Sequence, residues 1–368
     1  MIEPQAFWVG FNQIKGIGSV RIRSLLDYFG DLEQAWYASS EQLLSAGLKA
    51  RLVEKIVDFR NQANLELLWE KVQCKGITVL TWLDDDYPLR LKEIDQSPPV
   101  LYLRGTLQEE DSWAVAIVGT RRVTPYGRQV TEELGAYLGR HGVTVISGLA
   151  RGVDAIAHQA ALKAGGRTIA VFGCGVDRIY PPEHRQLADR IMANGSLISD
   201  YPIETPPEGI NFPPRNRIIS GLSLATVVIE ASEQSGAIIT ANFAAEQGRE
   251  VFAVPGTIFA PQSKGTNRLI LQGARPLLEI QDVLEALDLT LVNQHQEARK
   301  LLNVDPFEAN ILQVLGFEPI HIDDICSQLN LPIEKLSATL ALMELKGMVR
   351  QVGGMNYVAV REAYADYR

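Results

Sequence analysis

Two adjacent arginines follow a short apolar run in the middle of the sequence. In VAIVGTRRVTPYG the run ends at Gly119 and continues through Thr120, Arg121 and Arg122. Guanidinium groups make planar, two-pronged contacts with phosphate, so this turn is typical of an anion site. The G-x-G-x-x-G fingerprint of dinucleotide binding is not met. The alternative is that both arginines are ordinary solvated surface charges.

A second glycine-containing turn follows the run VTVI. Ser147 and Gly148 end that run, and Arg151 stands at the entrance to a helical pattern. Backbone N–H groups at a helix start, with an arginine beside them, favour a second anion pocket. Asp154 and His158 are four residues apart on one helical face. They could form a catalytic pair, but we favour a local structural hydrogen bond.

The third turn, Gly-Cys-Gly, allows a ligand to approach the backbone closely. Gly173 and Gly175 form it, and Arg185 lies near the start of the following helical pattern. A nucleophilic role for Cys174 would need a nearby base and a lowered pKa. We therefore interpret Cys174 as a small residue in a tight turn.

An aromatic residue and several hydrogen-bond donors come together in NFPPRNRIISGLS. Phe212 precedes Arg215, Asn216 and Arg217. Proteins that bind single-stranded nucleic acid stack bases on rings and follow the backbone with cations, and this segment has both groups. The alternative for Asn216 is that it caps the following helix.

Two further turns precede helical patterns and offer helix amino-termini to an anion. Ser235 and Gly236 form one, and Lys264 belongs to the other. The phosphate-binding motif G-x-x-x-x-G-K-[ST] occurs nowhere in the chain, so neither turn is a P-loop. Each turn alone is weak evidence, but together they predict an anion-binding surface.

Near the amino terminus, KGIG could form one hairpin of a helix-hairpin-helix module. Lys15, Gly16 and Gly18 would then face a phosphate as an accessory DNA contact. The alternative is a tight turn between helices that binds nothing.

Parallel strands would bring the central turns to one edge of a sheet. The runs AVAIVG, VTVISG, RTIAVFG, LATVVIEA and EVFAVPG are short, rich in β-branched residues and separated by helical patterns. This alternation predicts an α/β domain over residues 113–289 with a doubly wound, mostly parallel sheet. Such sheets bind ligands at the carboxyl ends of their strands.

The flanking segments have different patterns. Residues 1–75 are predicted to form a helical domain like a SAM or helix-hairpin-helix domain, and the proline-containing segment 76–112 a connector that packs on the core. Residues 290–304 are predicted to be a linker. Three helices followed by a hairpin over 305–368 predict a winged-helix domain.

Composition restricts the class of protein. The chain has 368 residues, 46% of them hydrophobic and 21% charged, which excludes collagen-like and largely disordered classes. Its three cysteines are far apart, which predicts a reducing compartment and gives no zinc signature. With no signal peptide and no run approaching about 20 apolar residues, we expect a cytoplasmic protein without a membrane span.

The net charge of −9 argues at first against nucleic acid. However, residues 113–288 carry 16 basic and 17 acidic residues, and 14 of those 16 are arginine. The acidic excess lies in the flanks, at −5 for residues 1–112 and −4 for residues 305–368. A basic edge on a nearly neutral domain can hold a phosphate backbone.

The winged-helix domain does not share this basic character. Its third helix would be the one that reads DNA, and it offers Lys335 and Lys346 against Glu334 and Glu344. We therefore expect protein contact or autoregulation there, not groove reading.

Together the central motifs closely resemble the DNA processing protein A (DprA, or Smf) family. They are VAIVGTRR, SGLARG, GCG, YPPE, NFPPRNRIISGLS and VPG followed by NRLI. The resemblance implies a Rossmann-like domain that binds single-stranded DNA and forms homodimers. Family members pass incoming strands to the RecA recombinase in natural transformation and recombination. They have no established catalytic activity, so no cofactor or metal is expected.

The resemblance also implies which residues contact DNA. They are Arg121, Arg122, Ser147, Gly148, Arg151, Gly173 to Gly175, Arg185 and Arg215 to Arg217. For the dimer, we expect a contribution from the apolar surface near residues 247–252 and 267–278.

The alternative function is a nucleotide-processing hydrolase. Related Rossmann-like folds cleave nucleotide phosphoribosyl groups with a glutamate behind a P-G-G-x-G-T-x-x-E type loop. Here Pro255, Gly256 and Thr257 continue as Ile-Phe-Ala, without the second glycine or that glutamate.

Overall fold

A computed structural model describes residues 2–287, 306–315, 320–329, 332–345, 349–352 and 354–359. Two compact units make up the chain, residues 1–292 and 293–368. The finer domain boundaries remain predictions, and the predicted linker 290–304 lies outside the described residues.

The first unit begins with six helices around an aromatic core. The helices are α1 (Pro4–Gln13), α2 (Ser19–Phe29), α3 (Leu32–Tyr37), α4 (Ser40–Ser45), α5 (Ala50–Gln62) and α6 (Leu65–Cys74). Buried Phe7 and Phe11 pack edge-on against Trp36. Short polar caps start three of the helices, since Asp31 accepts the Gln34 N–H, Ser39 forms a capping box with Gln42, and Asn64 accepts the Leu67 N–H.

A nine-stranded sheet follows. Its strands are β1 (Thr78–Thr81), β2 (Val100–Gly105), β3 (Ala114–Val118), β4 (Thr144–Ser147), β5 (Thr168–Val171), β6 (Gly195–Ser199), β7 (Ala225–Val228), β8 (Glu250–Ala253) and β9 (Arg275–Pro276). The spatial order is β1-β2-β6-β5-β4-β3-β7-β8-β9. Strands β3 to β9 pair in parallel, whereas β2 is antiparallel to both β1 and β6.

Helices connect the strands and cover both faces of the sheet. They are α7 (Leu89–Lys92), α8 (Pro125–Arg140), α9 (Val153–Lys163), α10 (Arg185–Ala193), α11 (Phe212–Gly221), α12 (Gly236–Glu246), α13 (Lys264–Leu271) and α14 (Asp282–Ala286). Along β3, Val115 and Ile117 pack in one core with α8 and α9, while Ala116 and Val118 belong to the other core with α11 and α12. The predicted doubly wound, mostly parallel fold is confirmed.

The segment 76–112 contributes more than a connector. Its apolar residues form β1 and β2, which extend the sheet, and buried Tyr102 lies at the centre of β2. Sequence interpretation did not include these strands because the prolines around them dominate the pattern.

Chain order reverses beside β3. From β3 the chain moves outward through β4, β5 and β6, then returns to β7 on the other side of β3. The turns after β3 and β7 therefore diverge and leave a crevice at the carboxyl edge, where doubly wound sheets bind ligands.

The described residues of the second unit form three helices and a small antiparallel sheet. Its elements are α15 (Pro306–Val314), β10 (Ile320–His321), α16 (Ile322–Leu329), α17 (Ile333–Leu345), β11 (Val349–Gln351) and β12 (Asn356–Ala359). The sheet order is β10-β12-β11, and Ile311, Ile325 and Leu336 lie in its core. This arrangement confirms the predicted winged helix.

Within the described ranges, every helix is too short or too polar to cross a membrane.

Candidate nucleic-acid interface

A cavity of about 670 Å³ opens at the crevice beside β3. We call it the edge cavity. It is walled by the turns that follow β3 and β4 and by the first turns of α11 and α12. Nine residues predicted to bind DNA line it: Gly119, Thr120, Arg121, Arg122, Phe212, Arg215, Asn216, Ser235 and Gly236. The structure thus brings together segments more than 100 positions apart in the sequence.

An aromatic stack forms one wall of the edge cavity. The rings of Tyr180 and Phe212 lie 5.7 Å apart between centroids, with an interplanar angle of 30°. The Arg121 guanidinium carbon is 6.0 Å from the Phe212 ring centroid. A ring with a cation above it gives a stacking surface that any base can use.

The turn after β3 leaves its two arginines available for an anion. Arg121 and Arg122 are exposed, and neither forms an ion pair within residues 2–287. The Arg122 N–H donates to the Thr120 hydroxyl at 3.1 Å, which holds the turn closed. The arginine side chains therefore extend from a turn whose backbone is fixed.

Glu230 organises this turn, although the sequence analysis did not single it out. It lies two residues after the end of β7. Its buried carboxylate accepts from the Thr124 N–H at 2.9 Å and from the Thr124 hydroxyl. Its backbone oxygen accepts from the Thr120 N–H at 2.8 Å. A Cβ on Gly127 would come within 2.5 Å of the Glu230 carboxylate, so glycine is required there. No sequence signal linked Glu230 to a turn more than 100 residues earlier.

Arg215 is a predicted contact that the structure places differently from Arg121. It is only 5% exposed, and its guanidinium donates to the backbone oxygens of Gly148, at 3.1 Å, and Val171. Its Nε donates to the Asn216 side chain at 3.2 Å. Arg215 thus joins the ends of β4 and β5 to α11 while it lines the cavity.

Asp154 lies on the other side of Gly148 from Arg215. Its carboxylate accepts from the N–H groups of Gly148, at 3.1 Å, and Ala150, at 3.3 Å. Burial raises the pKa of Asp154, and the Arg215 charge opposes that shift. A Cβ on Gly148 would lie 2.6 Å from the Arg215 guanidinium and 2.9 Å from the Asp154 carboxylate. The predicted turn therefore requires glycine at 148 in order to hold both charges.

His158 does not pair with Asp154. Its Nδ1 lies 2.6 Å from the Thr168 hydroxyl, which itself donates to the Val145 oxygen. The His158 Nδ1 must then be the donor to Thr168. Burial lowers the pKa of His158 to about 3, so the imidazole is neutral. This geometry supports the structural interpretation of both residues.

Cys174 is likewise part of the scaffold. Its thiol is buried and donates to the Arg178 backbone oxygen at 3.3 Å. Burial raises the pKa of Cys174 to about 11, which opposes formation of a thiolate.

A small niche beside the edge cavity contains two more predicted residues, Gly148 and Arg151. The exposed Arg151 side chain pairs with Glu183 at 2.5 Å, and this hydrogen bond raises the pKa of Arg151. An anionic ligand in this niche must either share the Arg151 guanidinium with Glu183 or displace Glu183 from it.

Other predicted residues lie away from the cavity wall. Buried Ser147 donates to the Ile117 oxygen at 2.6 Å, and Arg217 pairs with Asp200 at 2.7 Å. Arg185 and Lys264 are exposed at the starts of α10 and α13.

The glycines of the third turn lie close to protein groups. A Cβ on Gly173 would contact the Phe212 ring at 2.8 Å, and one on Gly175 would contact Asp177 at 2.6 Å. They give room to neighbouring protein groups and are absent from the cavity lining.

The amino-terminal turn at residues 15–18 joins α1 to α2. Lys15, Gly16 and Gly18 are exposed, and the Gly16 oxygen accepts from the Arg21 guanidinium. Arg21 thus stabilises the turn from within α2. DNA contact by this turn remains a prediction.

Described residues contain no group of three or more histidine, cysteine or acidic side chains that could hold a metal ion.

Comparison with known proteins reveals relatives that span the whole chain. The family model described as DNA recombination-mediator protein A matches residues 78–288, and that of the DprA winged helix domain matches residues 295–355. The protein Smf of Synechocystis sp. is 38% identical over an alignment of 392 positions. The alignment covers 96% of this chain and 98% of that protein.

Two solved structures are similar at more than 30% sequence identity. DNA processing protein A from Streptococcus pneumoniae matches with a TM-score of 0.69 and 33% identity, over 76% of this chain and 97% of that one. DNA processing protein A from Helicobacter pylori, whose structure was described for a unique single-stranded DNA binding mode, matches with a TM-score of 0.51 and 31% identity. That match covers 57% of this chain and 95% of that one.

Proposed function

This chain belongs to the DNA recombination-mediator protein A family, and on that premise we propose that it binds single-stranded DNA through the edge cavity. The observation that carries the proposal is the position of Arg121 above the Phe212 ring, beside Tyr180. Cation and rings stand together at a recess, which is the combination that unpaired nucleotides need. The protein acts by holding DNA and not by catalysis.

The binding mode follows from the cavity wall. Phosphates lie against Arg121 and Arg122, and the N–H group of Gly236, at the start of α12, provides a further anion contact. A base stacks on Phe212 or Tyr180. These contacts are made to the DNA backbone and to the faces of the bases, and not to the base edges. We therefore expect binding to be independent of the DNA sequence.

Selectivity for single strands follows from the same geometry. A paired base cannot leave its duplex to reach Phe212 without the cost of unstacking, a few kcal/mol per base. The net charge of −9 provides no long-range attraction that would repay this cost. We therefore expect weak binding of duplex DNA.

The test is a salt-titrated binding assay with matched single-stranded and duplex oligonucleotides. Replacing both arginines (Arg121→Ala with Arg122→Ala) should lower single-strand affinity about tenfold or more. It should also make the salt slope shallower by about 1.4, since each phosphate contact on a single strand contributes about 0.7. Arg190→Ala is the matched control, because Arg190 is exposed in the last turn of α10 and is absent from the cavity lining.

Equal affinity for both oligonucleotides, or an unchanged salt slope in the double variant, would rule out this mode of binding.

We also propose that the protein is a homodimer. Four large apolar side chains, Ile258, Phe259, Leu271 and Leu278, are between 72% and 88% exposed, near the surface predicted from the sequence. Exposed apolar groups of this size near one edge favour a protein interface. Sedimentation should show a dimer, and Leu271→Glu should shift it to a folded monomer.

As a recombination mediator, the protein is proposed to pass bound strands to the RecA recombinase, with incoming DNA in natural transformation as one substrate. A pull-down of RecA with and without single-stranded DNA tests this step. If RecA is retained neither with nor without single-stranded DNA, the proposed loading role is wrong. The proposal of strand binding would not be affected by that result.

The hydrolase alternative gains no support from the structure. The loop after β8 has Thr257 at the position of the second glycine and buried Ser263 at the position of the glutamate.

A further inference from the structure

A second cavity, of about 640 Å³, opens at the amino edge of the sheet. Its wall includes the start of β1, the end of β2 and the residues just before β3. It shares no lining residue with the edge cavity. We call it the basal cleft, and the proposed strand binding does not use it.

The inside of the basal cleft is aliphatic. Its floor consists of Leu80, Leu103, Ile146, Ile169 and Leu222, which are at most 7% exposed and belong to the main hydrophobic core. A cavity of this size above an aliphatic floor can accept a large apolar group, which would contact these side chains and cover the exposed apolar surface at the rim.

The apolar surface continues outside the cleft. Leu89, in α7 at the rim, is 73% exposed although it lines the cleft. Such exposure of a leucine beside an open apolar cavity favours an occupant that extends beyond the cavity, as a polypeptide segment does.

The rim is acidic. Exposed Asp85 and Asp86 line the cleft, and neither forms an ion pair within residues 2–287. By contrast, Asp111 is neutralised by Arg167 at 2.8 Å. Arg90 is the cation of the lining, and its guanidinium donates to the Ser112 oxygen at 2.7 Å. Carboxylates at the rim repel phosphate and attract lysine or arginine.

We propose that the basal cleft docks a segment of a partner protein in which a leucine-, isoleucine- or methionine-sized side chain lies beside a lysine or arginine. The apolar side chain enters the cleft and covers Leu89, while the cation faces Asp85 and Asp86. Anchors of this kind, buried at the centre of a contact and surrounded by a charged rim, dominate the affinity of many interfaces.

The test is a selection of phage-displayed random heptapeptides on the full-length protein. Enriched peptides should combine a large aliphatic residue with a basic one. Synthetic copies should bind Leu89→Ser about tenfold more weakly than the parent protein, and the Asp85→Asn/Asp86→Asn variant several-fold more weakly with a smaller salt dependence.

Matched controls are available on the same surface. Leu83 is 69% exposed but outside the cleft lining, and Asp95 is exposed and also outside it. Leu83→Ser and Asp95→Asn should leave peptide affinity unchanged. All five substituted positions are exposed, so loss of folding does not confuse the comparison.

The proposal is overturned if no peptide is enriched, if the enriched peptides are acidic, or if Leu89→Ser binds them as the parent does. Peptide affinity should be the same in the Arg121→Ala/Arg122→Ala variant and with single-stranded DNA present. The two proposals can therefore fail separately: loss of strand binding would not change peptide binding, and loss of peptide binding would not change strand binding.

Discussion

Arginine has opposite roles on the two walls of the edge cavity. On the β3 side, Arg121 and Arg122 are exposed and have no ion pair within residues 2–287. On the α11 side, Arg215 is 5% exposed, and its Nε and Nη1 already donate to protein oxygens. The same residue type is therefore exposed and available to a ligand on one wall and holds the scaffold on the other.

This difference has a physical origin in burial. An exposed guanidinium keeps its water until a phosphate replaces it, so it contributes to binding and little to folding. A buried guanidinium has lost its water during folding, and its hydrogen bonds to protein groups offset the free energy of that desolvation. Variants on the two walls should accordingly separate affinity from stability.

The largest effect is expected at Arg215. Arg215→Ala leaves the oxygens of Gly148 and Val171 unpaired beside the buried Asp154 carboxylate. Removal of one partner from a buried charged network costs about 3 kcal/mol or more. Denaturant unfolding should show this loss, whereas Arg122→Ala should leave the free energy of unfolding nearly unchanged.

An unchanged free energy of unfolding in Arg215→Ala, with DNA affinity abolished, would contradict the scaffold role.

A pH-dependent effect on stability is expected from His158. Burial lowers its pKa to about 3 from 6.5, so below pH 6.5 the unfolded chain takes up a proton that the folded protein refuses. Stability is therefore lost as the pH falls, by about 1.5 kcal/mol between pH 6.5 and pH 5 from this group.

His158→Asn keeps a donor near the Thr168 hydroxyl and removes the titration. The unfolding free energy of the variant should change less over the same pH interval. An equal change in both proteins would assign the pH dependence to other groups.

A smaller effect, on affinity alone, is expected at Phe212. Its ring lies between Arg121, Arg215 and Tyr180. Phe212→Leu keeps an apolar side chain but removes the stacking face, so single-strand affinity should fall about tenfold, within the 1–3 kcal/mol typical of a stacked base. Phe212→Tyr retains the ring and should bind as the parent does; an equal loss in both would exclude stacking.

These expectations show how far the sequence leads. The short apolar runs predicted the sheet, and the glycine and arginine turns at their ends predicted nine residues of the edge cavity. Burial was not predictable, because Arg215 and Arg121 have the same side chain and similar neighbours in the sequence. Only the packed α11 directs one guanidinium into the ends of β4 and β5.

Long-range partners were equally inaccessible to sequence reasoning. Glu230 holds Thr124 across 106 positions, and nothing local to either residue indicates the contact. The pairing of β2 with β6 is a similar case, since it joins residues about 100 positions apart in the sequence.

The smallest expected effect concerns Arg151, which belongs to neither wall completely. It is exposed like Arg121, yet Glu183 accepts its Nε–H at 2.5 Å. Because both side chains of the pair are exposed, it should contribute little to stability, and a phosphate in the adjoining niche would compete with Glu183 for the guanidinium. Glu183→Gln should therefore raise single-strand affinity about two- to threefold at low salt and leave thermal unfolding unchanged.

Arg151→Ala should cancel that gain. If Glu183→Gln raises affinity equally when Arg151 is absent, the effect is a general loss of negative charge and Arg151 makes no contact with the strand.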